Sequence, residues 1–271
     1  MTTSFDLARF EGIDLDSLIA EASLQTRIDR KYVLSRESAR HVVAGFDDAT
    51  RVLDTHGIRS FRYESVYFDT PDLLSFRMAA HPRRRRFKLR TRTYLDAQAA
   101  FLELKTRGAR SATVKERVRY PHTERTTLTD LARSYAAEGF SAIGVAEERA
   151  DDLGSRLTTT YRRATFVAPD GSARCTLDTE LRWVDVEGMT LLTPRLAVIE
   201  TKSGSAASAF DRALWRAGHR PVSISKYATG LAALHPGLPR NRWARLLRGP
   251  FADAIRHHPT RQKETPCAPA A

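Results

Sequence analysis

The 271-residue chain has only two cysteines, Cys175 and Cys267. So few exclude a disulfide framework as the basis of the fold, and they fit a reducing compartment; a cytoplasmic protein is expected. The amino terminus, MTTSFDLARFEGIDLD, has no basic stretch leading into an apolar one, and no secretory signal is expected. No apolar run approaches the roughly 20 residues that a membrane-spanning helix needs. Neither G-x-x-x-x-G-K-[ST] nor G-x-G-x-x-G occurs, which excludes the glycine loops of those two kinds that cradle phosphates. His81, His122 and His235 are scattered without metal-ligand spacing. No repeat of fixed period is visible.

What the chain does have is positive charge. Its net charge is +12 and its isoelectric point about 10.1. That balance favours an anionic partner without choosing between nucleic acid, phosphate compounds and an anionic membrane surface. With 42% hydrophobic residues it can bury a core. The length suits two average domains or one large β domain.

The cations are patterned. Arg84, Arg86, Lys88, Arg90 and Arg92 recur at every second position, so a strand over 84–94 would carry all five on one face, with Leu89 on the other. Two more strands follow. Over 100–107, Glu103, Lys105 and Arg107 oppose Leu102 and Leu104; over 113–120, Lys115, Arg117 and Arg119 oppose Val114 and Val118. Asp96-Ala97-Gln98 and Gly108-Ala109-Arg110 sit where hairpin turns belong. Further strands are predicted over 26–35, with Arg27, Asp29 and Lys31 on one face, and over 61–68, 157–167, 174–181 and 196–202, with a turn at Asp170-Gly171. Helices are predicted within 5–25, over 36–53, over 127–138 with Thr129 as N-cap, over 206–218 with Phe210, Leu214 and Ala217 on one side, and over 227–234. The sum is an α+β domain with a largely antiparallel sheet.

The polar strand faces admit two readings. One is a solvated face, the normal state of an antiparallel sheet packed on one side. The other is a sheet rolled into a barrel, with apolar side chains outward against helices and cations lining a central channel that holds a polyanion. Arginine suits phosphate because its planar guanidinium gives bidentate hydrogen bonds. Glu200 and Glu103 are then candidates to hold Mg²⁺ or Mn²⁺, hard cations that take carboxylate and phosphate oxygens. For each, a salt bridge to the lysine two residues on is the alternative, and for Glu103 it weighs equally. Ser225, in Ser225-Lys226-Tyr227, has nothing nearby in sequence to activate it and is read as structural or as positioning a ligand.

One ordered series carries a resemblance: RKYVL (30–34), YFDT (67–70), KLRTRTY (88–94), LELK (102–105), KER (115–117), YRRATF (161–166), RCTLD (174–178), VIETK (198–202) and SISKY (223–227). It resembles the catalytic domain of the VTC (vacuolar transporter chaperone) family, which makes polyphosphate from ATP and belongs with the CYTH triphosphatases among the triphosphate tunnel metalloenzymes. The resemblance covers residues 26–230. It implies an antiparallel eight-stranded β-barrel tunnel with flanking helices, in a single domain over 1–235. Residues 236–271 would form a basic, Pro-rich and partly disordered tail. By motif, Lys31, Arg90, Arg92, Lys105, Arg163 and Lys202 would form the catalytic set. Lys88, Lys115, Arg117, Arg174 and Lys226 would add phosphate contacts, and Glu200, with Glu103, would hold the metal. The Glu-x-Glu-x-Lys signature of the CYTH relatives is replaced by Ile28-Asp29-Arg30-Lys31. The doublet Arg162-Arg163 leaves the assignment open to a slip of one residue, which would put it on the opposite face.

The expected function is a metal-dependent polyphosphate polymerase acting on ATP with phosphate, pyrophosphate or polyphosphate as partners. Any coupling to a membrane would run through a separate membrane protein. A tripolyphosphatase or nucleoside triphosphatase in the same tunnel is the first alternative. A non-catalytic binder of polyphosphate or nucleic acid is the second, although no specific nucleic acid is expected: the aromatics are not interleaved with the basic residues as a stacking platform requires. Residues 240–256 are also a weak candidate for a basic amphipathic surface.

Overall fold

The computed structural model describes residues 5–21, 28–108 and 113–258. Its strands are β1 (Glu11–Ile13), β2 (Ile28–Ser35), β3 (Arg51–Leu53), β4 (Phe61–Asp69), β5 (Arg86–Tyr94), β6 (Ala99–Arg107), β7 (Thr113–Tyr120), β8 (Gly154–Val167), β9 (Ala173–Asp185), β10 (Thr190–Thr193), β11 (Leu196–Ser203) and β12 (Ile255–His257). The helices are α1 (Leu15–Glu21), α2 (Arg36–Ala44), α3 (Leu74–Ala80), α4 (Asp130–Ser141), α5 (Ala209–Arg216), α6 (Lys226–Leu234) and α7 (Ala244–Arg248).

Eight strands follow one another by hydrogen bonding in the order β7-β6-β5-β4-β8-β9-β11-β2, every pair antiparallel. This is the expected α+β tunnel architecture with flanking helices, with one correction: β7 and β2 do not pair, so the sheet curls without closing. Along β2 the segment after α5 supplies a hydrogen bond instead, Val222 N–H to the Lys31 carbonyl at 2.7 Å. That segment delivers Ile224, Ser225 and Lys226 to the inside of the curl.

Strand alternation sorts the side chains. On β5 the residues alternate half-buried and buried: Arg86, Lys88, Arg90 and Arg92 turn inward, while Phe87, Leu89, Thr91 and Thr93 are buried on the outer face. There α4 covers them, packing Ala132, Ala136 and Phe140 on Leu89, Leu102 and Leu104. Each such large apolar side chain contributes about 1.5–3 kcal/mol on full burial. Helices α2 and α5 cover the other half, with Val42, Val43, Phe210 and Leu214 against Phe166, Leu177 and Ile199. Both start with a side-chain cap: Ser35 on the Ser38 N–H, and Ser208 with Asp211 in a reciprocal capping box. Thr129 caps α4 as expected.

Helix α6 is placed by Trp183, whose indole N–H donates to the Lys226 carbonyl at 2.7 Å. The helix approaches so closely that a Cβ on Gly230 would lie 2.3 Å from the Trp183 ring. The first turn of α6, with Ser225 as N-cap, is thereby fixed against the sheet.

Several local expectations change. The helix predicted over 36–53 ends at Ala44, and 51–53 form β3, held by β8 and β1. Within 5–25, helix is confined to α1 among the described residues and is preceded by β1. Ala217 lies past the end of α5 and is exposed. Arg84 precedes β5 in an exposed bend, so the strand carries four of the five cations. Inside the stretch expected as a tail, Trp243, Leu246 and Phe251 are buried in the core beside Trp183, and β12 pairs with β10. The apolar face read in 240–256 is therefore spent internally. Residues 259–271, including Cys267, lie outside the described residues. So do residues 109–112, where a hairpin turn is expected, and residues 22–27, which hold the predicted start of β2 at Thr26 and Arg27. Cys175 is buried and unpaired.

Candidate active site: a cation-lined tunnel

The inner face of the curl encloses a cavity of about 600 Å³. From β2 and β11 it receives Asp29, Lys31, Glu200 and Lys202; from β5, Lys88, Arg90 and Arg92; from β6 and β7, Glu103, Lys105 and Lys115. Arg163 of β8 and Lys226 at the start of α6 complete the charged lining. Nine cations thus face three carboxylates in one space. Of the residues singled out from the sequence, all line this cavity except two. Arg117 is exposed on the edge strand β7, with its guanidinium 5.0 Å over the Phe101 ring. Arg174, near the start of β9, donates to the Leu18 carbonyl at 3.1 Å.

The Arg162/Arg163 ambiguity is resolved by register. Tyr161 and Arg163 pair with Tyr63 and Phe61 on β4 and share the inner face, while Arg162 turns outward to the Ser60 carbonyl at 3.1 Å. A register shift between β8 and β9 at Thr160/Arg162 accommodates the turn of the strand.

Three carboxylates organise the cations. Glu103, 3% exposed, accepts from Arg90 Nε and an Arg90 terminal nitrogen at 2.8 and 2.6 Å and from Lys115 at 3.0 Å, with Arg92 at 3.7 Å. Burial alone would raise its pKa; Arg90, Arg92 and Lys115 hold it well below the usual carboxylate range. Asp178, 1% exposed, takes Arg163 in bidentate fashion at 2.6 and 2.8 Å and also takes Lys226. Its pKa falls to about 2, burial being outweighed by Arg163 and Lys226. Glu200 stands between Lys202 and Lys31, each at 3.4 Å, and the opposition of burial by Lys202 and Lys31 leaves it well below its ordinary value.

Asp178, Tyr67 and Tyr161 are absent from the candidate set read from the sequence, where Ser225 appears only as structural or as positioning a ligand. Strand alternation puts Asp178 on one polar face with Arg174 and Thr176, and its cross-strand pairing with Arg163 brings it into the site. Tyr161 sits under Lys226, whose ammonium is 4.5 Å from the ring centre, and near Arg163 at 5.3 Å. Burial would raise its hydroxyl pKa, yet Arg92, Arg163 and Lys226 hold it below the ordinary value. Lys88 reaches across the cavity to Ser225 and donates to its Oγ at 2.8 Å. Its own ammonium is pushed down to about 7 by burial and by Arg90, Lys105, Lys31 and Arg86.

The carboxylates differ as metal ligands. Among the described residues no three His, Cys, Asp or Glu side chains gather closely enough to hold a metal ion by themselves. Magnesium and manganese need no such group: Mg²⁺ is commonly held by one or two carboxylates plus substrate phosphates and water. Glu200 fits that role, with each oxygen only loosely held by a lysine and Asp29 lining the same wall. Glu103 does not fit it, because both of its oxygens already accept from cations.

The family model of the VTC domain matches residues 26–235. No curated protein matches the chain. Among solved structures, a candidate adenylate cyclase from Bacillus halodurans shares 13% identity at a TM-score of 0.47, over 74% of this chain and 94% of that one. HpAC1 from Hippeastrum, described as a candidate adenylyl cyclase with a dominant triphosphatase activity, shares 15% at 0.41, over 80% and 100%. The PH1012 protein from Pyrococcus horikoshii shares 12% at 0.36, over 71% and 86%. Likeness of that order carries no functional argument.

Proposed function

The chain belongs to the VTC-domain family, and from that premise we propose that its tunnel is the active site of a polyphosphate polymerase, which moves the terminal phosphoryl group of ATP onto phosphate, pyrophosphate or a growing polyphosphate. The observation that carries this reading is the lining itself: nine cations in a cavity of about 600 Å³, against Asp29, Glu103 and Glu200 in the lining and Asp178 paired with Arg163 and Lys226. Without an anionic occupant, such crowding is unfavourable. An extended phosphate chain would neutralise it.

Phosphoryl transfer asks little covalent chemistry of a protein. The transferring group spreads charge over its equatorial oxygens, and catalysis comes from positioning and electrostatic stabilisation. Arg90 and Arg92, steadied by Glu103, and Arg163 and Lys226, steadied by Asp178, offer fixed donors from two sides of the cavity. Because their carboxylates hold them in place before substrate enters, little reorganisation remains for the reaction step. Lys31, Lys105 and Lys202 add point charges along the third side. Glu200 would hold Mn²⁺ or Mg²⁺, which supplies charge neutralisation at the phosphoryl oxygens when bound. No protein nucleophile is needed. The location we assign is cytoplasmic, with any membrane coupling through a separate protein.

The test is direct. Purified protein given ATP and Mn²⁺, with and without pyrophosphate as primer, should produce a ladder of phosphate chains on a gel. Free phosphate without chains would replace the polymerase with a triphosphatase in the same tunnel. No turnover of ATP or tripolyphosphate with either Mn²⁺ or Mg²⁺ would remove the enzyme reading altogether.

A further inference from the structure

Seven of the nine tunnel cations have a carboxylate within 4.0 Å: Lys31 and Lys202 share Glu200, Arg90, Arg92 and Lys115 share Glu103, and Arg163 and Lys226 share Asp178. Among the described residues, Lys88 and Lys105 have none. The register places these two directly opposite each other on β5 and β6, and places Lys105 opposite Lys115 on β7. Like charges directly opposed on one sheet face repel. The charged groups that bear most on Lys88 are all cations: Arg86 and Arg90 on its own strand, Lys105 from β6 and Lys31 from β2. Its hydrogen-bond partner, Ser225 Oγ, is neutral. Lys88 is therefore the cation whose charge the tunnel's own side chains support least.

We propose that entry of a phosphate chain into the tunnel is coupled to proton uptake at Lys88, the tunnel amine that faces Lys105 across the strand pair and has, among the described residues, only the neutral Ser225 hydroxyl as hydrogen-bond partner. The inference rests on the reading of the tunnel as a phosphate-chain site. The bond change is one proton from solvent to Nζ, with no other reactant. Two features support it. Burial and the surrounding cations of the protein itself hold Lys88 at about 7. A bound phosphoryl oxygen would reverse the sign of that field and return the amine towards its ordinary value of about 10.4. The direction follows from linkage. A group whose pKa rises on binding strengthens binding below its free value, and that gain is lost as pH climbs from the free towards the bound value. Polyanion affinity should therefore weaken between about pH 7 and pH 10, by at most about ten-fold per unit from this group.

Isothermal titration of the full chain with tripolyphosphate, without metal, at pH 8 in buffers of differing ionisation enthalpy reads the proton count. Two variants isolate Lys88, since titration of the ligand and of the other residues is common to all three proteins. Lys88→Arg keeps a permanent charge, so binding is retained, and it should take up about 0.9 proton fewer than wild type, the neutral fraction of an amine of pKa about 7 at that pH. Lys88→Gln should show the same deficit with weaker binding. A flatter fall of affinity between pH 7 and 9 in Lys88→Arg than in wild type is the companion result. Equal proton counts in wild type and Lys88→Arg, with binding intact, would overturn the coupling and leave the phosphate-tunnel reading standing. Absence of tripolyphosphate binding to the wild type would overturn that reading itself.

Discussion

Glu103 and Glu200 each stand two residues before a lysine, on different walls of one tunnel, and their surroundings part company. Glu103 lies on β6, the middle strand of three, with Arg90 opposite on β5 and Arg117 opposite on β7. It ignores its near neighbour Lys105 and binds Arg90, Arg92 and Lys115. Glu200 lies on β11 with Lys31 opposite on one side and the neutral Thr176 on the other. Its partners are Lys31 and the adjacent Lys202, both at 3.4 Å. Two identical spacings therefore serve different ends. Cross-strand register, not sequence neighbourhood, decides whether a carboxylate becomes a clamp for arginines or stays open to a ligand. One wall is rigid and arginine-rich; the other is lysine-rich and loosely tied.

Removal of Glu103 breaks the contrast hardest. Glu103→Ala leaves Arg90, Arg92 and Lys115 without their buried counter-charge, and breaking a buried ion pair from one side costs about 3–5 kcal/mol. Urea unfolding should show that loss, with part of it restored by added tripolyphosphate, whose charge takes the place of the missing carboxylate. A midpoint unchanged from wild type would show that the arginine wall does not depend on its clamp.

The same change on the other wall should act on chemistry rather than on folding. Glu200→Ala removes no cation, and its two lysines are partly open to solvent, so stability should fall by less than it does in Glu103→Ala. Metal-dependent turnover should fall by about 100-fold while tripolyphosphate binding without metal persists. Titration calorimetry beside an ATP turnover assay separates the two. Turnover within a few-fold of wild type would take Glu200 out of the metal site, and loss of metal-free binding would make it a structural residue like Glu103.

The arginine wall was the more legible in sequence. Arg86 to Arg92 alternate strictly with apolar or small residues, so one strand with one basic face is the only regular solution. The same alternation exposes β6 and β7. Short strands were not legible. β1, β3 and β12 have three residues each, and β10 four, too few for a period; they exist because partner strands complete their hydrogen bonds, β9 across a short turn for β10 and strands distant in sequence for the others. Val52 and Leu53 stand at apolar spacing beyond α2, while pairing with β8 and β1 decides their state. Trp243 and Phe251 sit among arginines in sequence, and only the tertiary fold shows that they fill the core under Trp183. The third clamp, Asp178 with Arg163 and Lys226, needs the register of β8 on β9 and the placement of α6, neither of which any local pattern contains. The Lys88–Ser225 contact joins residues 137 apart in sequence.

The smallest effect should come from the edge of the arginine wall. Arg117 shares the strand parity of Lys115 and lies in the KER motif of the resemblance, which makes it a phosphate candidate in sequence; in the fold it pairs in register with Glu103. In the fold it is exposed on β7, the unpaired end of the sheet, with its guanidinium over Phe101. An exposed cation–π contact is worth about 0.5–1 kcal/mol, and an exposed charge beyond the cavity is screened by salt. Arg117→Ala should weaken tripolyphosphate binding by no more than about three-fold at physiological salt, by a margin that shrinks further as salt is raised. Arg90→Ala, which empties a position inside the cavity and frees one side of Glu103, should weaken it by about ten-fold or more at the same salt, given about 1.5–3 kcal/mol for a hydrogen bond to a charged group. Titrations of both variants at two salt concentrations decide the matter. If Arg117→Ala matched Arg90→Ala in size, the phosphate chain would have to run out through the open seam past β7, and the rigid wall would extend to the edge of the sheet.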